Sequence, residues 1–247
     1  MSETVDQSAT PQRWALRMTV AGDIRFLSHH DMMRLMVRIA RRAGLPLRHT
    51  QGFNPHPVMS LPTPRSVGVA SEDERLLLSL ETPVEAEAML DALNGQTVAG
   101  VEFTAAVEVV KGQCNVPAAV SYRLTLGAEE TTPAAAAFEA LLATEQWVVE
   151  RTLKSKRNKR RTQDTKRTKQ LDIRPGVREI TLDASELHCT LQPVGGAWPR
   201  LGELVVLLGL DKADAVGRIV RTHIEDTFPA GACAPGTTNT IPSTVTE

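Results

Sequence analysis

Trp14, Leu16, Met18 and Val20 alternate with more polar neighbours, the period of a half-buried strand over residues 14–20. Ala21-Gly22-Asp23 then makes a turn before Ile24-Arg25-Phe26-Leu27. The period changes next. Met32, Leu35, Met36, Ile39, Ala40 and Ala43 recur at helical spacing, with Arg34, Arg38, Arg41 and Arg42 largely on the opposite side. Ser28 and Asp31 form a capping pair at the start of this helix, and Gly44 and Pro46 stop it. The pattern then predicts a strand at 45–50, a Pro-rich loop at 51–66 and a strand at 75–81. A helix opened by Pro83 runs to residue 94, followed by a strand at 101–110. The order is strand, helix, strand, strand, helix, strand.

The same order returns. Residues 120–126 alternate as a strand, and Pro133 opens an Ala-rich helix to about residue 144. Residues 147–153 form a strand. After a basic stretch, 178–182 and 187–191 make a hairpin. A short helix at 199–208 and a strand at 217–224 close the series. The repeat lies in topology rather than in letters. It predicts an α/β (α+β) protein of two tandem ferredoxin-like βαββαβ units with mainly antiparallel sheets, at residues 12–111 and 120–228. The boundary falls near 111–119. Residues 1–11 and 229–247 have no apolar periodicity and read as disordered.

Composition changes this picture little. Aromatic residues make up only 4%, so aliphatic side chains fill the core. No apolar run reaches membrane-spanning length, and the polar start lacks a signal peptide's apolar stretch. Cys114, Cys189 and Cys233 are widely spaced without CxxC, as expected of thiols in a reducing cytoplasm. The reading is therefore a cytoplasmic protein with no membrane partner.

Charge is the stronger signal. The formal net charge is −1, yet residues 151–169 hold ten Lys or Arg against one acid, Asp164. Arg174 and Arg178 extend the run. Such a segment suits a nucleic-acid backbone through Lys154, Lys156, Arg157, Lys159, Arg160, Arg161, Lys166, Arg167, Lys169 and Arg174. It is also compatible with a solvated loop or an acidic protein partner. With so few apolar anchors, residues 154–169 are expected to be mobile in the free protein.

Gln51-Gly52-Phe53-Asn54-Pro55-His56-Pro57 is a second signal. Gly and Asn tolerate left-handed dihedrals and the two prolines stiffen the loop, so Phe53, Asn54 and His56 are held in fixed directions. Phe53 could stack on a base, Asn54 read an edge and His56 shuttle a proton. The alternative is a rigid turn with Phe53 plugging the core. In Ser28-His29-His30-Asp31 the adjacent histidines diverge, no second ligand cluster is evident, and Ser28 and Asp31 are explained as caps. No metal or cofactor is expected. Glycine fingerprints, HExxH and GxSxG are absent, and without CxxxCxxC this chain cannot hold a radical-SAM cluster itself.

Arg25 through Asp31, Arg41-Arg42-Ala43-Gly44-Leu45-Pro46 and Gln51 through Pro57 together resemble the signature of the radical-SAM-linked protein family, an uncharacterised bacterial domain. Asp172-Ile173-Arg174-Pro175, Arg200-Leu201-Gly202-Glu203-Leu204 and Arg221-Thr222 fit the same pattern, so the resemblance covers about residues 12–228. Thr50 stands where the family has Ser, and His30 where Leu is usual, which leaves His29 as the family-typical histidine. Members are fused to, or encoded beside, radical-SAM proteins, often near a ribonuclease of the E/G type and ribosomal protein genes. The resemblance implies an accessory RNA-binding module serving a separate radical-SAM protein in RNA or ribosome-related modification, with no established reaction of its own. Two alternatives stand. One is a metal-independent ribonuclease-like enzyme of tandem ferredoxin fold with His29 and His56 as catalytic candidates, although Val194-Gly195-Gly196-Ala197 poorly matches the glycine-rich loop of such enzymes. The other is a protein-interaction scaffold without nucleic acid.

Overall fold

A computed structural model describes residues 11–110, 116–153 and 167–226. It is a mixed α+β protein with a mainly antiparallel sheet. The first half contains β1 (Arg13–Val20), α1 (His29–Arg42), β2 (Met59–Ser60), β3 (Ala70–Ser79), α2 (Ala86–Asn94) and β4 (Val101–Glu108). The second contains β5 (Ala119–Thr125), α3 (Ala128–Leu142), β6 (Val148–Leu153), β7 (Arg167–Asp172), β8 (Val177–Asp183), β9 (Glu186–Leu191), α4 (Leu201–Leu207), α5 (Lys212–Ala215) and β10 (Ile219–Glu225).

One eight-stranded sheet runs β4-β1-β3-β10-β5-β9-β8, with β2 paired to the far end of β3. With β6 and β7 set aside as a separate two-stranded sheet, each half, counted from its own first strand, places its strands in the same spatial order, and neighbours within each half are antiparallel. The halves meet at the parallel pairing of β3 and β10, which registers only Val220 with Ala70 and Arg221 with Ser71. One apolar core joins the first-half strands to Met32, Met36 and Ile39 of α1 and Met89 and Leu93 of α2. Another joins the second-half strands to Phe138 of α3 and Leu204 and Val205 of α4.

Local chemistry explains α1. Ser28 Oγ accepts from the Asp31 N–H at 3.2 Å and donates to the Asp31 carboxylate at 2.7 Å. At the other end Gly44 takes φ +70, a left-handed conformation in which a side chain would be strained, and the Leu45 N–H closes on the Ala40 carbonyl at 3.1 Å.

Several expectations need correction. Residues 45–50 make isolated bridges, Leu47 with Leu80 and His49 with Pro57, instead of a strand. The short β2 lies inside the expected Pro-rich loop, where its pairing to β3 decides its conformation. β3 begins at Ala70, before the expected Arg75, because charged Glu72, Asp73 and Glu74 enter the sheet. Residues Gly22–Phe26 are a 3-10 helix. α2 starts at Ala86, after Pro83. Pro133 lies inside α3, not at its opening. Gly127 precedes the helix and its N–H donates to Glu130 Oε2 at 2.7 Å, so the capping pair sets the start. β7 was unexpected. It removes Arg167 to Lys169 from the supposed loop by pairing them with Leu153 to Arg151. The expected mobility of 154–166 and the disorder of 1–10 and 229–247 concern residues outside those described.

Weak backbone pairing at the seam is supplemented by charge. Glu74 and Arg221, 3% and 1% exposed, meet with Arg221 Nη1 3.0 Å from both carboxylate oxygens. Arg221 also donates to the carbonyls of Thr63 at 3.0 Å and Pro64 at 3.3 Å. Arg65 Nε lies 3.7 Å from Glu74, and its Nη1 donates to the carbonyls of Arg25 and Val69. A second set comprises Arg17 paired with Asp73 and Asp226, Arg75 paired with Asp226, and the Ile224 N–H donating to Asp73 at 2.7 Å. Register shifts between Met18 and Val20 in the β1–β3 pairing, where Glu72 and Asp73 face Thr19, and between Arg221 and His223 in β10 change the local register around these residues.

Arg221→Met leaves the Glu74 carboxylate buried without its main counter-charge, and urea denaturation is expected to show a loss of about 3–5 kcal/mol. The double variant Glu74→Leu/Arg221→Met removes both charges and should be clearly more stable than Arg221→Met alone. A single variant as stable as wild type would show that this pair does not hold the halves together.

Candidate nucleic-acid interface

The loop after α1 projects its aromatic residue outward. Thr50 N–H donates to the His56 carbonyl at 2.9 Å, and His56 N–H donates to Thr50 Oγ1 at 3.2 Å. His56 Nδ1 is 3.2 Å from Thr50 Oγ1 and 3.3 Å from the Asn54 carbonyl. The hydroxyl at position 50 therefore closes the loop, a role Ser or Thr can fill. Gln51, Gly52, Phe53, Asn54, Pro55 and His56 are all exposed. Phe53 is 111% exposed relative to its reference state, which overturns the core-plug reading of this side chain.

The loop follows the basic end of α1. Arg38, Arg41, Arg42 and Arg48 are exposed, and none has a carboxylate partner among the described residues. Arg34 differs, pairing with Asp31 at 3.1 Å. The amphipathicity of α1 thus buries Met32, Met36 and Ile39 and leaves Arg38, Arg41 and Arg42 exposed ahead of the loop that carries Phe53.

The structure does not bring the two candidate catalytic histidines together. His29 opens α1 and lines a cleft of about 20 Å³ with Thr63, Arg65 and Glu74, too small to enclose a nucleotide. His56 lies in the loop beyond the other end of α1, whose 14 residues span roughly 21 Å. Among the described residues no hydrogen bond or ring contact joins them, so no His29–His56 acid–base pair is formed. His29 instead stacks edge-on with His30, ring centres 5.9 Å apart.

Of the basic segment, Lys154, Lys156, Arg157, Lys159, Arg160, Arg161 and Lys166 lie outside the described residues. Arg167 and Lys169 belong to β7, with Lys169 exposed. The β6–β7 ribbon is fastened at Arg151, whose Nε and Nη2 meet Glu203 at 2.6 and 2.7 Å and whose Nη2 reaches the Trp198 carbonyl at 2.7 Å. Arg174 is engaged locally. It donates to the Thr144 carbonyl and sits 5.7 Å over the Trp147 ring.

Reading the sequence missed the charged seam. Its signal was the run Glu72-Asp73-Glu74-Arg75 leading directly into Leu76-Leu77-Leu78, because charges inside a buried strand must be paired. Burial opposes ionisation of Asp73, but His223 at 3.0 Å, the Ile224 N–H and Arg17 more than offset it and hold its pKa at about 2. Glu74 moves the other way. Burial raises its pKa despite Arg221 and Arg65. Cys189, packed in the second core, has its thiol pushed up to about 12 by burial, which makes it a poor nucleophile. Among the described residues no group of three or more His, Cys, Asp or Glu is placed to hold a metal ion, and no helix is long and apolar enough to cross a membrane.

The two neighbouring carboxylates contribute to pH stability with opposite signs. Asp73 stabilises the fold above its ordinary value of 3.8, and that contribution is lost as pH falls toward about 2. The contribution of Glu74 is fullest below 4.5 and lost as pH rises through its folded value. Asp73→Asn should therefore flatten the acid limb of a stability–pH profile, removing about 2 kcal/mol of its change between about pH 4 and 2. An unchanged acid limb in denaturant titrations would show that the Asp73 contacts contribute nothing in solution.

No curated protein matches the chain. A family described as uncharacterised proteins conserved in bacteria matches residues 13–197, from the first residue of β1 through the second-half hairpin. With three quarters of its length covered by that match, this chain belongs to the DUF2344 family of uncharacterised bacterial proteins.

Proposed function

We propose that the protein is an accessory RNA-binding module that works with a separate radical-SAM protein in RNA or ribosome-related modification. The observation that carries the RNA reading is the full exposure of Phe53 on a braced loop that follows Arg41, Arg42 and Arg48 in the chain, all three exposed and without a carboxylate partner among the described residues. An aromatic platform next to cations is the combination that holds single-stranded nucleic acid, because every base offers a face for stacking and every linkage a phosphate. The basic segment 151–169 adds phosphate-binding capacity without sequence choice. The radical-SAM association is supported by the motif resemblance at Arg25–Asp31 and Gln51–Pro57. On this reading the two halves are ferredoxin-like units, supported by their shared strand order, and the protein works in the cytoplasm.

Phe53→Ala is expected to weaken single-stranded RNA binding by about 5- to 160-fold, corresponding to roughly 1–3 kcal/mol of lost stacking. The exposed position leaves the core intact. If about five side chains of the basic segment meet phosphates, log affinity should fall against log salt with a slope of roughly −3.5 to −4.5. Replacing Lys156, Arg157, Lys159, Arg160 and Arg161 by Ser should flatten that slope. Fluorescence anisotropy over a salt series measures both effects. Wild-type protein that binds no RNA at low salt would overturn the reading and favour the scaffold.

A further inference from the structure

A groove of about 410 Å³ lies between residues 62–66 of the first half and β5, β10 and α4 of the second. Its size falls within the roughly 300–1,000 Å³ usual for small-molecule sites. One wall is apolar and partly aromatic, built by Tyr122, Trp198 and Pro199. The charges that line it are Arg200, Lys212 and Arg221, with no carboxylate among them.

Two of these cations lack an ion pair, although Glu203 lies near enough to Arg200 to accept from its backbone N–H at 2.9 Å. Neither Arg200 nor Lys212 has an ion-pair partner among the described residues, and both side chains are exposed. Gly202 lets Lys212 lie close against α4, since a Cβ there would fall 2.5 Å from Lys212 Cε. The third cation, Arg221, is 1% exposed and commits Nη1 to Glu74, but its Nε has no hydrogen-bond partner among the described residues. Thr63 Oγ1, on the facing loop, is also buried and unpartnered. Both residues line the groove, although neither of these two atoms is itself open to solvent.

We infer that this groove binds a nucleoside monophosphate, either free or as the phosphorylated end of an RNA. A flat base suits the Trp198 and Tyr122 wall. A phosphate suits the two exposed cations Arg200 and Lys212. The ribbon bearing the basic segment is tied to the same wall through the contact of Arg151 with the Trp198 carbonyl. This site is separate from the Phe53 loop, and free-nucleotide binding there does not depend on the RNA reading.

Isothermal titration of the full chain with the four ribonucleoside monophosphates, the matching nucleosides and inorganic phosphate tests the inference. Monophosphates should bind at least about tenfold more tightly than nucleosides, the effect of one charge-assisted contact. Arg200→Gln/Lys212→Gln should abolish that difference. Trp198→Ala should weaken nucleotide and nucleoside alike, with circular dichroism showing that each variant folds. A second arm compares a short single-stranded RNA carrying a 5′-phosphate, a 3′-phosphate or no terminal phosphate. Binding of free monophosphates identifies a nucleotide site. Preference for a phosphorylated RNA end without free-nucleotide binding, lost in the double variant, identifies an RNA-end site. Absence of both at millimolar ligand, or inorganic phosphate binding as tightly as nucleotide, overturns the inference. The RNA reading fails separately, through RNA lacking terminal phosphate and the Phe53→Ala variant.

Discussion

Two registered residue pairs are all the backbone that β3 and β10 contribute to joining the halves of the sheet. How one half stands against the other depends on how that short seam is reinforced. Glu74, Arg65 and Arg221 form one reinforcing set, and Asp73, Arg75, Arg17 and Asp226 form the other. Apolar side chains could have joined the halves more cheaply, because removing charges from water is costly. Charges, however, specify register. A carboxylate at position 74 accepts only an arrangement that brings Arg221 opposite it, whereas leucines tolerate sliding.

That register also assembles the groove. Arg221 takes part in the seam and in the groove lining, and Thr63 gives Arg221 a carbonyl acceptor while lining the facing wall. The two halves must be locked before the walls stand opposite each other. The Phe53 loop has a different dependence. It is braced by Thr50 and His56 within its own few residues, so its geometry is a local property of the first half.

Much of the fold was legible in the sequence where one residue's preference decided the outcome. Ser28, Asp31, Gly44 and Pro46 bracket α1 almost to the residue, and alternation in residues 14–20 marks β1. What escaped depended on partners distant in the chain. β2 and β7 are strands only because β3 and β6 pair with them, and β7 is masked by a composition that reads as a solvated loop. Pro133 misled because proline favours a helix start, while the Gly127–Glu130 contact places the start earlier. Of the candidate site, the exposure of the Phe53 loop could not be decided from its letters, which suit a buried plug equally well. The seam charges were visible but unread, and the groove is a product of tertiary placement.

The central position of β10 has a consequence for synthesis. The strand made last among those described is inserted into the middle of the sheet, between β3 and β5. During translation β1 to β4 emerge with the β3 edge open outside its short pairing to β2, and Glu74, with Arg65 already near, waits for the Arg221 guanidinium 147 residues away. At about 5–20 residues per second that interval is roughly 7–30 s, long compared with the folding of a small domain. Throughout it the nascent chain displays an unpaired strand edge, the kind of surface on which chains stick to one another. Three acids side by side, Glu72, Asp73 and Glu74, occupy that edge. Until β10 is added these acids keep the edge hydrated and mutually repulsive between chains, so Asp73 and Glu74, which later help fix the seam, guard it beforehand.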